Sequence, residues 1–212
     1  MTCIAGIVQD GTVYVAADSA ASNMSQITTR IDKKVFRVGD TLIAGCGSFR
    51  MMQLLHYGLI IPRHPDTMDV EEYMVVRFIE AVRDVFTAGG YTRKLDEAEY
   101  GGNFLIGYRG HLFQITSDFQ VGEAATLYDA SGSGEDIALG VFYATPSMEP
   151  EARIELALRA SEYHSLGVRA PFTILHVHES ERTYEGPPDD EDEDEDEDEE
   201  QADDDSTTKA AA

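Results

Sequence analysis

Apolar and β-branched residues run nearly unbroken from Thr2 to Val8, and after Gln9-Asp10-Gly11 the pattern becomes an alternation with Val13 and Val15 on one face of Thr12 to Ala17. Two strands joined by a tight turn are the expected result. Lys34 to Val38 and Thr41 to Cys46, divided by Gly39-Asp40, repeat the arrangement. The period then lengthens. Ser48 to about Leu59 reads as a helix, and a longer one begins at Asp69, whose side chain is suited to cap it with Glu72 three residues on. Val70, Tyr73, Met74, Phe78, Val82 and Val85 keep helical spacing up to Phe86, so one face of that helix is buried. Gly89-Gly90 ends it, and the polar residues 91 to 102 read as a loop. Phe104 to Tyr108 and His111 to Ile115 form another hairpin, followed by helices from the Ser131-Gly-Ser-Gly turn to about Ala144 and from near Pro150 to about Leu166. Phe172 to Val177 is a closing strand. Segregated blocks of strands and helices predict an α+β domain of antiparallel sheets with helices packed outside them.

Composition changes the picture at one end. The chain has 212 residues and a formal charge of -24. Fifteen acidic residues fall between Asp189 and Asp205 with Lys209 the only base nearby, which leaves -10 on residues 1–186 (-24 less -14). Two units are therefore expected: a globular domain over 1–186 and a disordered acidic tail over 187–212, where nothing apolar offsets the entropy of ordering. The charge argues against nucleic acid or an anionic membrane as partner, since both require clustered Lys and Arg. Cys3 and Cys46 cannot make a disulfide framework, no segment has 18 consecutive apolar residues, and Met-Thr-Cys-Ile lacks the basic start of a secretory signal. A cytoplasmic protein is expected.

Several residues are candidates for chemistry. Gly45-Cys-Gly47 and Gly132-Ser133-Gly134 each follow a strand and precede a helix, yet neither supplies the third glycine of a dinucleotide fingerprint. They read as tight turns whose backbone N–H groups suit a developing oxyanion. His176 and His178 share a strand face without a third ligand at a recognisable spacing, so no metal is expected. Taken alone, Asp32-Lys33-Lys34 is a solvated charge cluster. Thr2 is the most suggestive residue. Removal of Met1 would put a hydroxyl and an α-amine on adjacent carbons, and an amine with an ordinary pKa of about 7.7 to 8.0 is a usable base near neutral pH.

Thr2-Cys-Ile-Ala-Gly-Ile-Val, Val15-Ala-Ala-Asp18-Ser, Lys33-Lys34-Val-Phe, Leu42-Ile-Ala-Gly45 and Gly132-Ser133-Gly134 resemble, in order, the motifs of proteasome β-type subunits and the HslV peptidase. Asp18 lies 16 residues after Thr2 and Lys34 another 16 on, matching the family's threonine, aspartate and lysine without a gap. The resemblance covers about residues 2 to 178. It implies an N-terminal nucleophile (Ntn) hydrolase with a four-layer αββα sandwich, acting as a threonine endopeptidase without a cofactor. Thr2 would be nucleophile and, through its amine, base. Lys34 would lower the pKa of the hydroxyl, Asp18 would hold Lys34, and Ser133 would hydrogen-bond near the amine. Gly45 matches the oxyanion glycine, with Gly47 a close rival because this turn is one residue short. Ser22 stands where the family binds substrate backbone. Two departures are expected: Ser165 and Val168 occupy the positions of a family aspartate and serine that support the amine, and maturation would rest on removal of Met1 in place of a propeptide. The resemblance further implies protein or peptide substrates, a ring of identical or partner subunits, and an unfolding ATPase. A catalytically silent ring subunit and a small-amide amidohydrolase are the alternatives.

Overall fold

Alternation along the first hairpin sets the layering. The computed structural model describes residues 2–23, 25–95, 98–182 and 184; the acidic tail expected over 187–212 lies outside them. β1 (Cys3–Gln9) and β2 (Thr12–Ala17) pair antiparallel, with β12 (Tyr128–Gly132) and β13 (Thr173–His178) on either side, in the order β12-β1-β2-β13. A second sheet has the order β11-β10-β9-β6-β5, built from β5 (Val35–Val38), β6 (Thr41–Cys46), β9 (Asn103–Tyr108), β10 (His111–Ile115) and β11 (Val121–Glu123). Every pairing is antiparallel.

Because side chains alternate between faces, each strand feeds two cores. Ile4, Val13, Val15 and Ala17 meet Val35, Leu42, Ala44 and Leu105 between the sheets. The opposite face of the first sheet, Cys3, Ala5, Ile7 and Ala16, packs on Ala138 and Phe142 of α4 (Glu135–Ala144) and on Ile154, Ala157 and Leu158 of α5 (Pro150–His164). Phe36, Ile43, Phe104 and Ile106, on the outer face of the second sheet, pack on α1 (Phe49–Gly58) and the helical segment after it. Burying each of the larger side chains contributes about 1.5–3 kcal/mol, so both faces of each sheet are held. The result is the expected α+β sandwich with helices outside two antiparallel sheets.

The helix starts follow local chemistry. Ser48 Oγ accepts from the Met51 N–H at 3.3 Å, and Asp69 Oδ1 accepts from Glu72 N–H at 2.8 Å. Pro150 opens α5. The long helix differs from expectation in its middle: α2 (Val70–Tyr73) and α3 (Ile79–Ala88) are joined by a π-helical turn over Met74–Phe78. Widening the turn keeps Tyr73, Met74, Phe78 and Val82 all buried while Val75 and Val76 point outward.

Six further strands among the described residues are absent from the expected set. A small hairpin, β3 (Ala20–Ser22) with β4 (Ile27–Thr29), follows β2. The expected loop over 91 to 102 contains the two-stranded pair β7 (Arg93–Leu95) and β8 (Ala98–Tyr100). β11 and β12 extend the two sheets, and Ser131, expected to begin a turn, is still strand. Apolar patterning does not announce these strands, because their pairing comes from backbone groups and the neighbouring edge.

Candidate active site

Strand register gathers the candidates. Cys3 pairs with Gly132, which brings Thr2 beside the Ser133 turn, and Ile4 pairs with Ala17, which brings Asp18 alongside Cys3. Lys34 comes from the other sheet, immediately before β5. Its side chain crosses to the first sheet: Nζ donates to Thr2 Oγ1 at 2.9 Å and to Asp18 Oδ1 at 2.7 Å. Thr2, Asp18 and Lys34 are each at most 4% exposed. The solvated cluster read from Asp32-Lys33-Lys34 alone is thus divided, with Asp32 and Lys33 outside and Lys34 within.

Asp18 is saturated with donors. Oδ1 accepts from the Cys3 N–H at 3.1 Å besides Lys34, while Oδ2 accepts from Ala20 N–H at 2.9 Å and Arg169 N–H at 3.1 Å. Such a carboxylate is held in one orientation, and it holds the ammonium in turn. Burial lowers the Lys34 pKa from its ordinary value, against the opposing attraction of Asp18. Next to the site, burial raises the Cys3 thiol to about 11, so Cys3 is a poor nucleophile despite its place beside Thr2.

On the other side of Thr2, its backbone nitrogen donates to Ser133 Oγ at 3.2 Å, and Ser133 Oγ lies 3.3 Å from the Thr2 carbonyl oxygen. Ser165 Oγ is 3.2 Å from Ser133 Oγ, continuing a chain of hydroxyls. Val168, which with Ser165 departs from the family pattern, is fully buried among apolar residues. Gly132 has φ +103 and a Cβ there would stand 2.4 Å from the Thr2 carbonyl oxygen, so the close approach of this turn requires glycine.

The two oxyanion candidates separate. The Gly45 N–H donates to the Lys34 carbonyl at 2.9 Å as part of strand pairing. Gly47, at φ +94, lines an open cleft of about 340 Å³ together with Thr2, Lys34, Ala20, Ser22 and Phe49. Ser22 Oγ is buried there without a hydrogen-bond partner among the described residues. The histidine pair does not gather into a metal site: His176 faces Glu151 at 3.9 Å, His178 bonds Ser180, and no group of three metal-ligating side chains occurs among the described residues.

Arg169 is the contributor that sequence reasoning misses. Its Nη1 donates to the Val168 carbonyl at 2.7 Å and to the Ser165 and Glu162 carbonyls at 3.4 and 3.5 Å, closing the end of α5. That closure delivers the Arg169 N–H to Asp18 and the Ser165 hydroxyl to Ser133. No motif signals it, since the contacts are to backbone carbonyls.

No protein-family profile and no curated protein matches the chain. Solved structures do. BPH from Thiobacillus denitrificans aligns with a TM-score of 0.70 at 23% identity, over 84% of this chain and 99% of that one. HslV from Trypanosoma brucei gives 0.61 at 14% identity, over 83% and 99%, and Anbu from Hyphomicrobium sp. strain MC1 gives 0.60 at 17% identity, over 84% and 82%. With these proteins the chain shares the two-sheet sandwich of proteasome-type Ntn hydrolases, the fold that the ordered sequence motifs resemble.

Proposed function

We propose that the chain is an N-terminal threonine peptidase with Thr2 as nucleophile. The observation that carries the reading is the buried Lys34 ammonium shared between Thr2 Oγ1 and Asp18 Oδ1 at 2.9 and 2.7 Å. Removal of Met1 frees the Thr2 amine beside Ser133. The hydroxyl, its pKa lowered by Lys34, gives its proton to the amine as Oγ1 attacks the scissile carbonyl carbon. The carbonyl π electrons move to oxygen, and the Gly47 N–H is the donor we assign to that oxyanion. Collapse breaks the C–N bond, the amine's proton passes to the leaving amine, and an ester on Thr2 remains. A water molecule, deprotonated by the Thr2 amine, hydrolyses the ester and restores the hydroxyl. Lys34 remains charged throughout. Substrate lies extended along Ala20–Ser22 as an added strand, and the unpartnered Ser22 hydroxyl supplies a bond to it.

Assembly into a ring, with the Thr2 clefts enclosed and an ATPase feeding it, belongs to the same proposal. Tyr143, Tyr163 and Leu166 are 81%, 85% and 81% exposed on and after α4 and α5, and a contact between subunits there would remove their apolar area from water. A cytoplasmic location is likewise proposed; among the described residues no helix is long and apolar enough to cross a membrane. So is the division at residue 186 between the hydrolase domain and its acidic tail.

The neighbouring BPH has been solved in complex with epoxomicin, which makes that compound, a peptide vinyl sulfone or a β-lactone suitable probes. Incubation followed by peptide mass mapping is expected to find one adduct per chain on a peptide that begins at Thr2. Retention of Met1 on chains that turn over substrate would defeat the amine-based mechanism, and labelling elsewhere with Thr2 unmodified would defeat the nucleophile assignment.

A further inference from the structure

The turn that touches Thr2 is fixed from one side by a carboxylate that the reaction as described leaves unused. Glu135 opens α4, and its Oε2 reaches back to accept from the Gly132 N–H at 2.9 Å. That turn holds Thr2 by both backbone groups. Ser133 Oγ accepts from the Thr2 nitrogen at 3.2 Å, while the Gly134 N–H and Ser133 Oγ each donate to the Thr2 carbonyl at 3.3 Å. At its far end, Ser161 Oγ of α5 donates to the Gly134 carbonyl at 3.0 Å. Glu135 is half-buried, and among the described residues no Lys, Arg or His pairs with it. A partly desolvated carboxylate ordinarily has a cation for company.

The surrounding groups show where its charge is felt. Burial raises the pKa of the Cys46 thiol on β6; a hydrogen bond to Ser131 and the Lys34 ammonium oppose the rise, and the Glu135 carboxylate adds to it. Cys46 is thus within reach of two opposite charges, and Lys34 is the one that touches Thr2 Oγ1. On β12, Asp129 is a second carboxylate: burial raises its pKa, the Ala130 N–H that donates to it at 2.7 Å opposes the rise, and Glu135 adds to it. β1 presents Cys3, whose thiol burial pushes up to about 11. Glu135 itself lines no part of the Thr2 cleft.

We propose that Glu135 is a positioning residue for the Thr2 amine: it holds the Gly132–Gly134 turn onto Thr2 and sets a negative charge near the ammonium that forms during turnover. The inference rests on the reading of Thr2 as nucleophile and base. No proton passes to Glu135. When the amine takes the hydroxyl proton, the carboxylate stabilises the positive charge that results, until that proton leaves with the departing amine. The missing cation of Glu135 is therefore the amine itself.

The test compares full chains that begin at Thr2, unsubstituted and carrying Glu135→Gln, which keeps an oxygen for the Gly132 N–H and removes the charge. Acetylation of Thr2 by trace acetic anhydride as a function of pH, read by peptide mass mapping, gives the pKa of the amine with no turnover needed. It is expected to fall by at least about half a pH unit in Glu135→Gln, because removing a nearby negative charge disfavours the protonated amine; an equal or higher value overturns the proposal. In hydrolysis of a short fluorogenic peptide, the acid limb of kcat/KM should move to lower pH by a like amount with KM changed less than about twofold. A limb that stays put overturns it as well. Glu135→Asp, which restores the charge on a shorter arm, should return the amine toward the parent value; failure to do so assigns the glutamine effect to the shape of the turn and overturns the role of the charge. Asp129→Asn should move the amine less than Glu135→Gln, and the reverse order gives the role to Asp129. Absence of both turnover and a Thr2 adduct in the unsubstituted chain defeats the peptidase reading instead, and leaves the acetylation comparison to judge Glu135.

Discussion

At the scale of single residues, the proposed chemistry turns on a lysine that is almost fully buried. Thr2→Ala removes the only atom placed to form the acyl bond, and is expected to abolish both labelling and hydrolysis with an unchanged circular dichroism spectrum. Lys34→Ala is expected to lower kcat/KM about a thousandfold, since a positioned charge in a water-poor site is worth on the order of 3–4 kcal/mol. Near-normal turnover would remove the lysine from the mechanism. The pH dependence has a definite sign. Burial lowers the Lys34 pKa from 10.5, so the ammonium is lost as pH rises through a value below the ordinary lysine range, and kcat/KM should fall on that limb. Lys34→Arg, whose guanidinium stays charged, should move the limb upward even if it lowers the maximum; a limb that stays put belongs to another group. That Thr2, Asp18, Lys34 and Ser133 come together is anticipated by the resemblance of their ordered motifs to the family, while the approach of Thr2 to Asp18 follows from the β1–β2 hairpin itself. The choice between Gly45 and Gly47 is not, since it depends on which N–H the ladder consumes.

At the scale of elements, α5 and the loop after it act as a strut for the site. Arg169 gathers the carbonyls of Glu162, Ser165 and Val168 with one nitrogen, and its own N–H reaches Asp18. Arg169→Met is expected to lower kcat about tenfold, equivalent to 1.4 kcal/mol, with KM little changed and with partial recovery in Arg169→Lys. A loss of thermal stability with kcat intact would make Arg169 purely structural. Elements with strong apolar periodicity were legible: β1, β2, β5, β6, β9, β10, β13 and the principal helices lie near their expected bounds. β3, β4 and β12 were not, because Ala20–Ser22, Ile27–Thr29 and Tyr128–Gly132 carry mixed or small side chains and are strands by virtue of the edges they join. The π-helical turn is invisible to a count of apolar residues because it preserves which of them are buried.

At the scale of the whole molecule, the proposed catalytic groups lie far along the chain from the acidic tail. The Thr2 cleft is lined by residues between Thr2 and Met52, so truncation after Gly186 should leave hydrolysis of a short fluorogenic peptide within about twofold of the full chain, far from the tenfold that 1.4 kcal/mol would bring. A loss beyond tenfold with assembly unchanged would place the boundary of the functional domain too early. Sedimentation of active material should find an assembly; a fully active monomer would refute enclosure.

The bond between Lys34 and Asp18, which ties one sheet to the other, also constrains how this lineage can change. Removing one member of a buried ion pair destabilises by about 3–5 kcal/mol, whereas replacing both with apolar residues of similar volume is often neutral or stabilising. Here Asp18 also accepts from the Cys3, Ala20 and Arg169 N–H groups, each of which would be left unpaired at a cost of about 1–3 kcal/mol, so the double substitution Asp18→Leu/Lys34→Met is expected to melt below the parent, though by less than the sum of the two single losses; a double variant that loses that sum or more would contradict this. A descendant freed from catalysis would therefore find no sturdier sequence at this pair: either first step is selected against on folding alone, and the second only softens the loss. The residues proposed for catalysis would thus be retained by folding as well as by function.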